Sequence, residues 1–109
     1  IQNGQIIKVA ASISEYPPDA QIRNCQQLIL GTGLIDLYSH SGEPGYEERE
    51  TINSLLQAAA HGGFTRINIL PDTNPAIDNA AVVTQLQKIA QNISIFDSSF
   101  PIPNLNIWG

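Results

Sequence analysis

The sequence predicts an α/β fold on a parallel sheet, and three observations carry that expectation. From Leu34 onward, apolar residues alternate between a two-residue and a 3.6-residue period, giving strand, helix, strand, helix, strand. Each joint holds a turn signal, such as Gly62-Gly63 and Pro71-Asp72-Thr73-Asn74-Pro75. The links between strands are helix-length, which fits right-handed parallel crossovers and not hairpins. The first 30 residues stand outside this alternation and read as β-rich. The expected division is therefore 1–30 and 31–109.

The elements follow in order. Residues 3–13 open on Asn3-Gly4, a turn signal, and run through Ile6, Ile7 and Val9. Tyr16-Pro17-Pro18-Asp19 is a break, and Gln27–Leu30 reads as a short strand. Gly31 and Gly33 mark a bend before the strand Leu34–His40. There, alternation puts Leu34, Asp36, Tyr38 and His40 on one face and Ile35, Leu37 and Ser39 on the other. Glu43-Pro44-Gly45 is a turn. A helix is expected over 48–61, because Ile52, Leu55, Leu56 and Ala59 make one apolar stripe. Glu47, Glu48 and Glu50 near its start suit the helix dipole, and Gly62-Gly63 supplies its stop. Phe64–Leu70 is the second strand. Asp78 or Asn79 caps a second helix over 80–91, with Val82, Val83, Leu86, Ile89 and Ala90 inward. A short extended segment over 93–96 and a final strand over 105–108 complete the pattern.

Composition narrows the function classes. In 109 residues, 42% are apolar, enough for a core, and the net charge of −5 argues against a nucleic-acid partner. Lys8, Lys88, Arg23, Arg49 and Arg66 are scattered and form no basic patch. No apolar run reaches the ~20 residues that span a bilayer, and no signal peptide is visible, so a cytoplasmic location without a membrane partner is expected. Cys25 is the one cysteine, which fits a reducing compartment and reads as a small half-buried residue. The chain lacks methionine, and Asn104–Gly109 reads as a strand just forming, so a piece of a longer protein is expected.

The segment Gly33-Leu-Ile-Asp-Leu-Tyr-Ser-His-Ser-Gly-Glu-Pro-Gly45 resembles the first strand and loop of dihydroorotases, in the amidohydrolase superfamily. That family runs Gly-x-Ile-Asp-x-His-x-His-x-Arg-Glu-Pro-Gly. Glu50-Thr51, Ala58-Ala-Ala60, Gly62-Gly-Phe-Thr65 and Pro71-x-Thr-x-Pro75 match in order and spacing as well, a joint signal far more specific than one short motif. The resemblance covers residues 31–87 well and implies a (β/α)8 barrel. This chain would supply its N-terminal third, preceded by strands of a small β-subdomain.

The resemblance also implies a site, and three of its positions differ here. In the family, two histidines on the first strand bind zinc; His40 fits the second position and Tyr38 occupies the first. A phenol is a poor zinc ligand at neutral pH, so no zinc is expected to be bound by this chain. An arginine of the first loop and an asparagine of the second hold the substrate carboxylate. Gly42 and Asp72 stand at those positions, one without a donor and one with like charge. No residue of the chain is assigned as catalytic. Asp36 reads as a structural residue, more than a general base, that could help orient nearby groups, His61 as a helix-terminal cation and Trp108 as core packing.

Three functions remain open on the sequence. The family reaction is the reversible cyclisation of carbamoyl aspartate to dihydroorotate in pyrimidine biosynthesis, here with impaired activity. The second is a pseudoenzyme that acts as scaffold for aspartate transcarbamoylase, as some dihydroorotase relatives without metal ligands do; self-association is the other partnership expected. The third is an amidohydrolase for a neutral or cationic cyclic amide, with Asp72 facing an amino or ureido group.

Overall fold

The computed structural model describes residues 1–93 and 102–108. It divides into two units, Ile1–Leu30 and Gly31–Gly109.

The first unit contains no strand, which corrects the strands expected over 3–13 and 27–30. A strand needs a hydrogen-bonded neighbour along its length, and the unit provides one short pairing only. Gln2 and Gln5 exchange N–H···O bonds of 2.9 and 3.0 Å. Between them Asn3 (φ 51°) and Gly4 (φ 74°) both take positive φ, as a two-residue hairpin of the primed kind requires. The Asn-Gly signal thus makes its turn, but the apolar residues beyond it find no ladder among the described residues. Ile6, Ile7, Val9, Leu28, Ile29 and Leu30 are exposed, and so is Cys25, which the sequence had placed half-buried.

The second unit follows the expected alternation: β1 (Leu34–Ser39), α1 (Ile52–His61), β2 (Phe64–Ile69), α2 (Ala80–Gln91) and β3 (Asn104–Ile107). The three strands form one parallel sheet in the order β1-β2-β3. The extended segment expected over 93–96 lies outside the described residues from 94 on.

Helix α1 begins later than the acidic run suggests. Thr51 is its N-cap, with Ser54 N–H donating to Thr51 Oγ1 at 3.1 Å and Thr51 N–H donating to Ser54 Oγ at 2.9 Å. Glu47, Glu48 and Glu50 therefore precede the helix. The negative charge at its N-terminus comes instead from Glu43, whose Oε2 accepts from Ile52 N–H at 2.8 Å. At the other end, Gly63 takes the positive φ of 80° that the stop needs. The His61 ring Nδ1 lies 2.8 Å from the Gln57 carbonyl, a fitting donor for the last turn. Helix α2 starts where expected, and Asn79 is the cap: its Oδ1 accepts from Ala81 and Val82 N–H.

Both helices bury their apolar stripes on one face of the sheet. Ile52, Leu56, Ile69 and Leu86 are fully enclosed, joined by Ile67, Ile77 and Ala59, with Leu105 and Ile107 against them. Burying each large aliphatic side chain contributes about 1.5–3 kcal/mol. Leu34, Ile35 and Leu37 of β1 remain exposed, because no described element packs over them.

Candidate functional site at two strand-to-helix loops

Parallel strands point their C-terminal ends the same way, so the loops 40–51 and 70–79 leave one end of the sheet side by side. Ser39 C=O accepts from Leu70 N–H at 2.9 Å, and Pro44 C=O accepts from Asn74 N–H at 3.1 Å. Each loop also has a buried hydroxyl that ties its own backbone. Ser41 Oγ donates to Glu43 C=O at 2.9 Å, and Thr73 Oγ1 donates to Pro75 C=O at 2.8 Å. A buried hydroxyl must be satisfied, so these bonds hold the loops in one shape. The Glu43–Pro44 and Asn74–Pro75 peptides are cis.

Three of the four residues singled out from the sequence meet here. His40 Nδ1 lies 2.6 Å from Asp72 Oδ2. An ionised carboxylate only accepts, so Nδ1 carries the proton and Nε2 faces away from the pair. The Tyr38 ring stands edge-on to His40, with centroids 5.9 Å apart at 89°. The two-residue alternation thus brings the side chains of positions 38 and 40 together. Tyr38, His40 and Asp72 are all largely open to solvent, so the ion pair itself contributes no more than about 1 kcal/mol.

Gly42 does not join them. Its absent side chain would point into its own loop, 2.4 Å from Glu50 O and 2.7 Å from Tyr46 O. Gly42 is thus a packing glycine in this loop, and an arginine there could not reach outward without remaking the backbone. Gly45 is similar: at φ 97°, a Cβ on it would collide with the Asn74 carbonyl of the neighbouring loop.

The end of β1 is irregular, and side chains complete its bonding. The ladder with β2 slips between Asp36 and Ser39. Asp36 Oδ1 accepts from Tyr38 N–H at 2.9 Å, Asn68 Nδ2 donates to Asp36 C=O at 2.7 Å, and Trp108 Nε1 donates to Leu37 C=O at 2.7 Å. The Tyr38 N–H, and after it the Ser39 side chain, hold the Asp36 carboxyl below the usual carboxylate range. Asp36 thus ties down the backbone at Tyr38. Trp108 is half-exposed and bridges to β1, where core packing was expected. In the first loop, the Gly45 N–H likewise draws the Glu47 carboxyl down.

Sequence reasoning named His40 and Asp72 separately and missed their contact. The signal was available, since both follow the ends of adjacent parallel strands. The links from Trp108 and Asn68 to the β1 backbone had no signal, because they answer a ladder slip that no pattern encodes.

Zinc would require imidazole, thiolate or carboxylate groups converging at about 2.0–2.3 Å from one point. Around His40 stand the Tyr38 phenol at the end of β1 and the Asp72 carboxylate, which is already joined to the imidazole. Among the described residues no three His, Cys, Asp or Glu side chains converge. Of the two-histidine pattern, the second position is His40, bonded to Asp72, and the first is Tyr38.

The sequence pattern of the Dihydro-orotase-like family matches residues 26–99. The chain is similar to the dihydroorotase of Syntrophus aciditrophicus, at 41% identity over 91 residues, 84% of this chain and 21% of that protein. It is similar to the probable dihydroorotase-like protein of Synechocystis sp., at 39% over 88 residues, 81% of this chain and 20% of that one. The dihydroorotase of Aquifex aeolicus matches at 36% over 95 residues, 87% and 22% respectively. The chain spans about a fifth of the length of these relatives.

Proposed function

Because this chain belongs to the dihydroorotase-like family, we propose that it opens a (β/α)8 barrel whose protein serves pyrimidine biosynthesis with impaired turnover of dihydroorotate. The protein acts as a cytoplasmic scaffold for aspartate transcarbamoylase. One observation carries the reading. At the loop end of β1 and β2, the groups that would hold metal and carboxylate are replaced by a closed set: Tyr38 beside His40, His40 bonded to Asp72, and Gly42 packed against its own loop. Hydrolysis of a cyclic amide needs an activated water and a docked substrate. This set favours neither, since Asp72 presents a negative charge to an anionic substrate. What remains intact is the frame: strand order, helix caps and core. That is the part a structural role uses, and no described helix is long and apolar enough to cross a membrane.

The test is association. The full-length protein and aspartate transcarbamoylase, mixed at micromolar concentration, are expected to sediment as one complex, with carbamoyl transfer rising in its presence. Independent sedimentation of the two, with unchanged transferase activity, refutes the scaffold role.

A further inference from the structure

We propose that Gly45 is a positioning residue: its close passage over the Asn74 backbone docks the second loop on the first, and this docking, not the ion pair, holds His40 and Asp72 together. This rests on the reading of the two loops as a closed set and names what closes it.

The links between the two loops come in series. Leu70 N–H donates to Ser39 C=O at 2.9 Å where the strands end, His40 Nδ1 meets Asp72 Oδ2 at 2.6 Å, and Asn74 N–H donates to Pro44 C=O at 3.1 Å beyond them. Two backbone bonds thus bracket the pair, and Asp72 lies between their donors, Leu70 and Asn74. The pair itself is too weak to join the loops, because its side chains are 67% and 47% exposed to water. The strand-end bond continues the pairing of β1 with β2 and fixes only the first residues of each loop. The outer bond depends on how near the two loop backbones can come. Beside it, Gly45 takes φ 97°, where an L side chain is strained. A Cβ on Gly45 would stand 2.7 Å from the Asn74 carbonyl carbon and nearer still to its oxygen. These are backbone atoms, so no rotamer relieves the overlap and the loops must part. Gly45 has little room to turn away, since its N–H is held by Glu47 Oε1 at 2.9 Å. On the other side, the buried Thr73 hydroxyl ties to Pro75 C=O around Asn74. That turn moves as a piece, and Asp72, next to Thr73, moves with it.

The experiment compares the full-length protein with its Gly45→Ala and Asp72→Ala variants through two readouts. Amide hydrogen exchange follows the Asn74 N–H. Nitrogen-15 spectra of the histidine rings, at a pH where the imidazole is neutral, show whether the His40 proton stays on Nδ1. Gly45→Ala should speed Asn74 exchange at least about tenfold and free the His40 proton to either nitrogen, while the amides of α1 and β2 keep their protection. Asp72→Ala should free the His40 proton as well, yet leave Asn74 exchange within about twofold of the wild type. Asn74 exchange that rises as much in Asp72→Ala as in Gly45→Ala overturns the proposal. So does a His40 proton that stays on Nδ1 in a folded Gly45→Ala variant. Should Gly45→Ala fail to fold, Asp72→Ala decides alone: unchanged Asn74 exchange supports the proposal and accelerated exchange overturns it. Neither readout involves turnover or a protein partner, so failure here leaves the scaffold reading standing, and the reverse holds too.

Discussion

An alanine at position 42 would place its Cβ 2.4 Å from the Glu50 carbonyl oxygen, 2.7 Å from the Tyr46 carbonyl oxygen and 2.9 Å from the Glu50 nitrogen. All three are backbone atoms, so no change of rotamer relieves the contact. Non-bonded heavy atoms settle at about 3.5–4.0 Å, so the loop must open by roughly 1 Å. The bond from Tyr46 N–H to Gly42 C=O, 2.7 Å long, lies across the same gap and would be strained first. Overpacking of this kind costs about 1–3 kcal/mol. Arginine shares the Cβ and meets the same barrier. Urea unfolding of the full-length protein should therefore give Gly42→Ala and Gly42→Arg lower midpoints at unchanged slope. A Gly42→Ala midpoint equal to that of the wild type would refute the reasoning, since it would mean that the loop opens freely. It would also mean that a carboxylate-binding arginine could be restored there by one substitution.

The remaining expectations concern the frame and its charges. Leu56→Ala should cost about 2–5 kcal/mol in denaturant unfolding, because the side chain is fully enclosed. Asn79→Ala removes the acceptor for two N–H groups of α2 and should cost about 0.5–2 kcal/mol by the same measurement. Glu43→Gln should destabilise less than Glu43→Ala, because an amide oxygen can still accept from Ile52 N–H while the charge at the helix start is lost. Asp36 gives a pH dependence of known sign. Its folded pKa is depressed, so its contribution is full above its unfolded pKa and is lost as pH falls through the folded value. Thermal melting from neutral to strongly acidic pH should fall less steeply for Asp36→Asn than for the wild type; parallel curves would contradict this.

How far the sequence could be read depended on where each bond partner sits. The β1-α1-β2-α2-β3 order was legible because apolar period is a local property, and Asn79 and Gly63 announced their helix ends through local chemistry. The start of α1 was misplaced because three glutamates look like a first turn, whereas the Thr51–Ser54 box and the distant Glu43 carboxylate set the boundary. The strands expected before Leu30 failed for a different reason: apolar residues with strand character form a strand only against a neighbour. At the site, Tyr38, His40, Gly42 and Asp72 could be named one by one from the family resemblance. Their arrangement could not, since the contact of His40 with Asp72 spans 32 residues and the closure around Gly42 depends on the path of the whole loop.

The most direct measurement is dihydroorotate turnover by the full-length protein alone, with zinc supplied and no transcarbamoylase present. Tyr38, the His40–Asp72 pair and the closed Gly42 loop predict turnover impaired to a rate close to that of the buffer. Turnover that depends on added zinc and disappears in His40→Ala would contradict the account, because it would mean that His40 leaves Asp72 to hold a working metal.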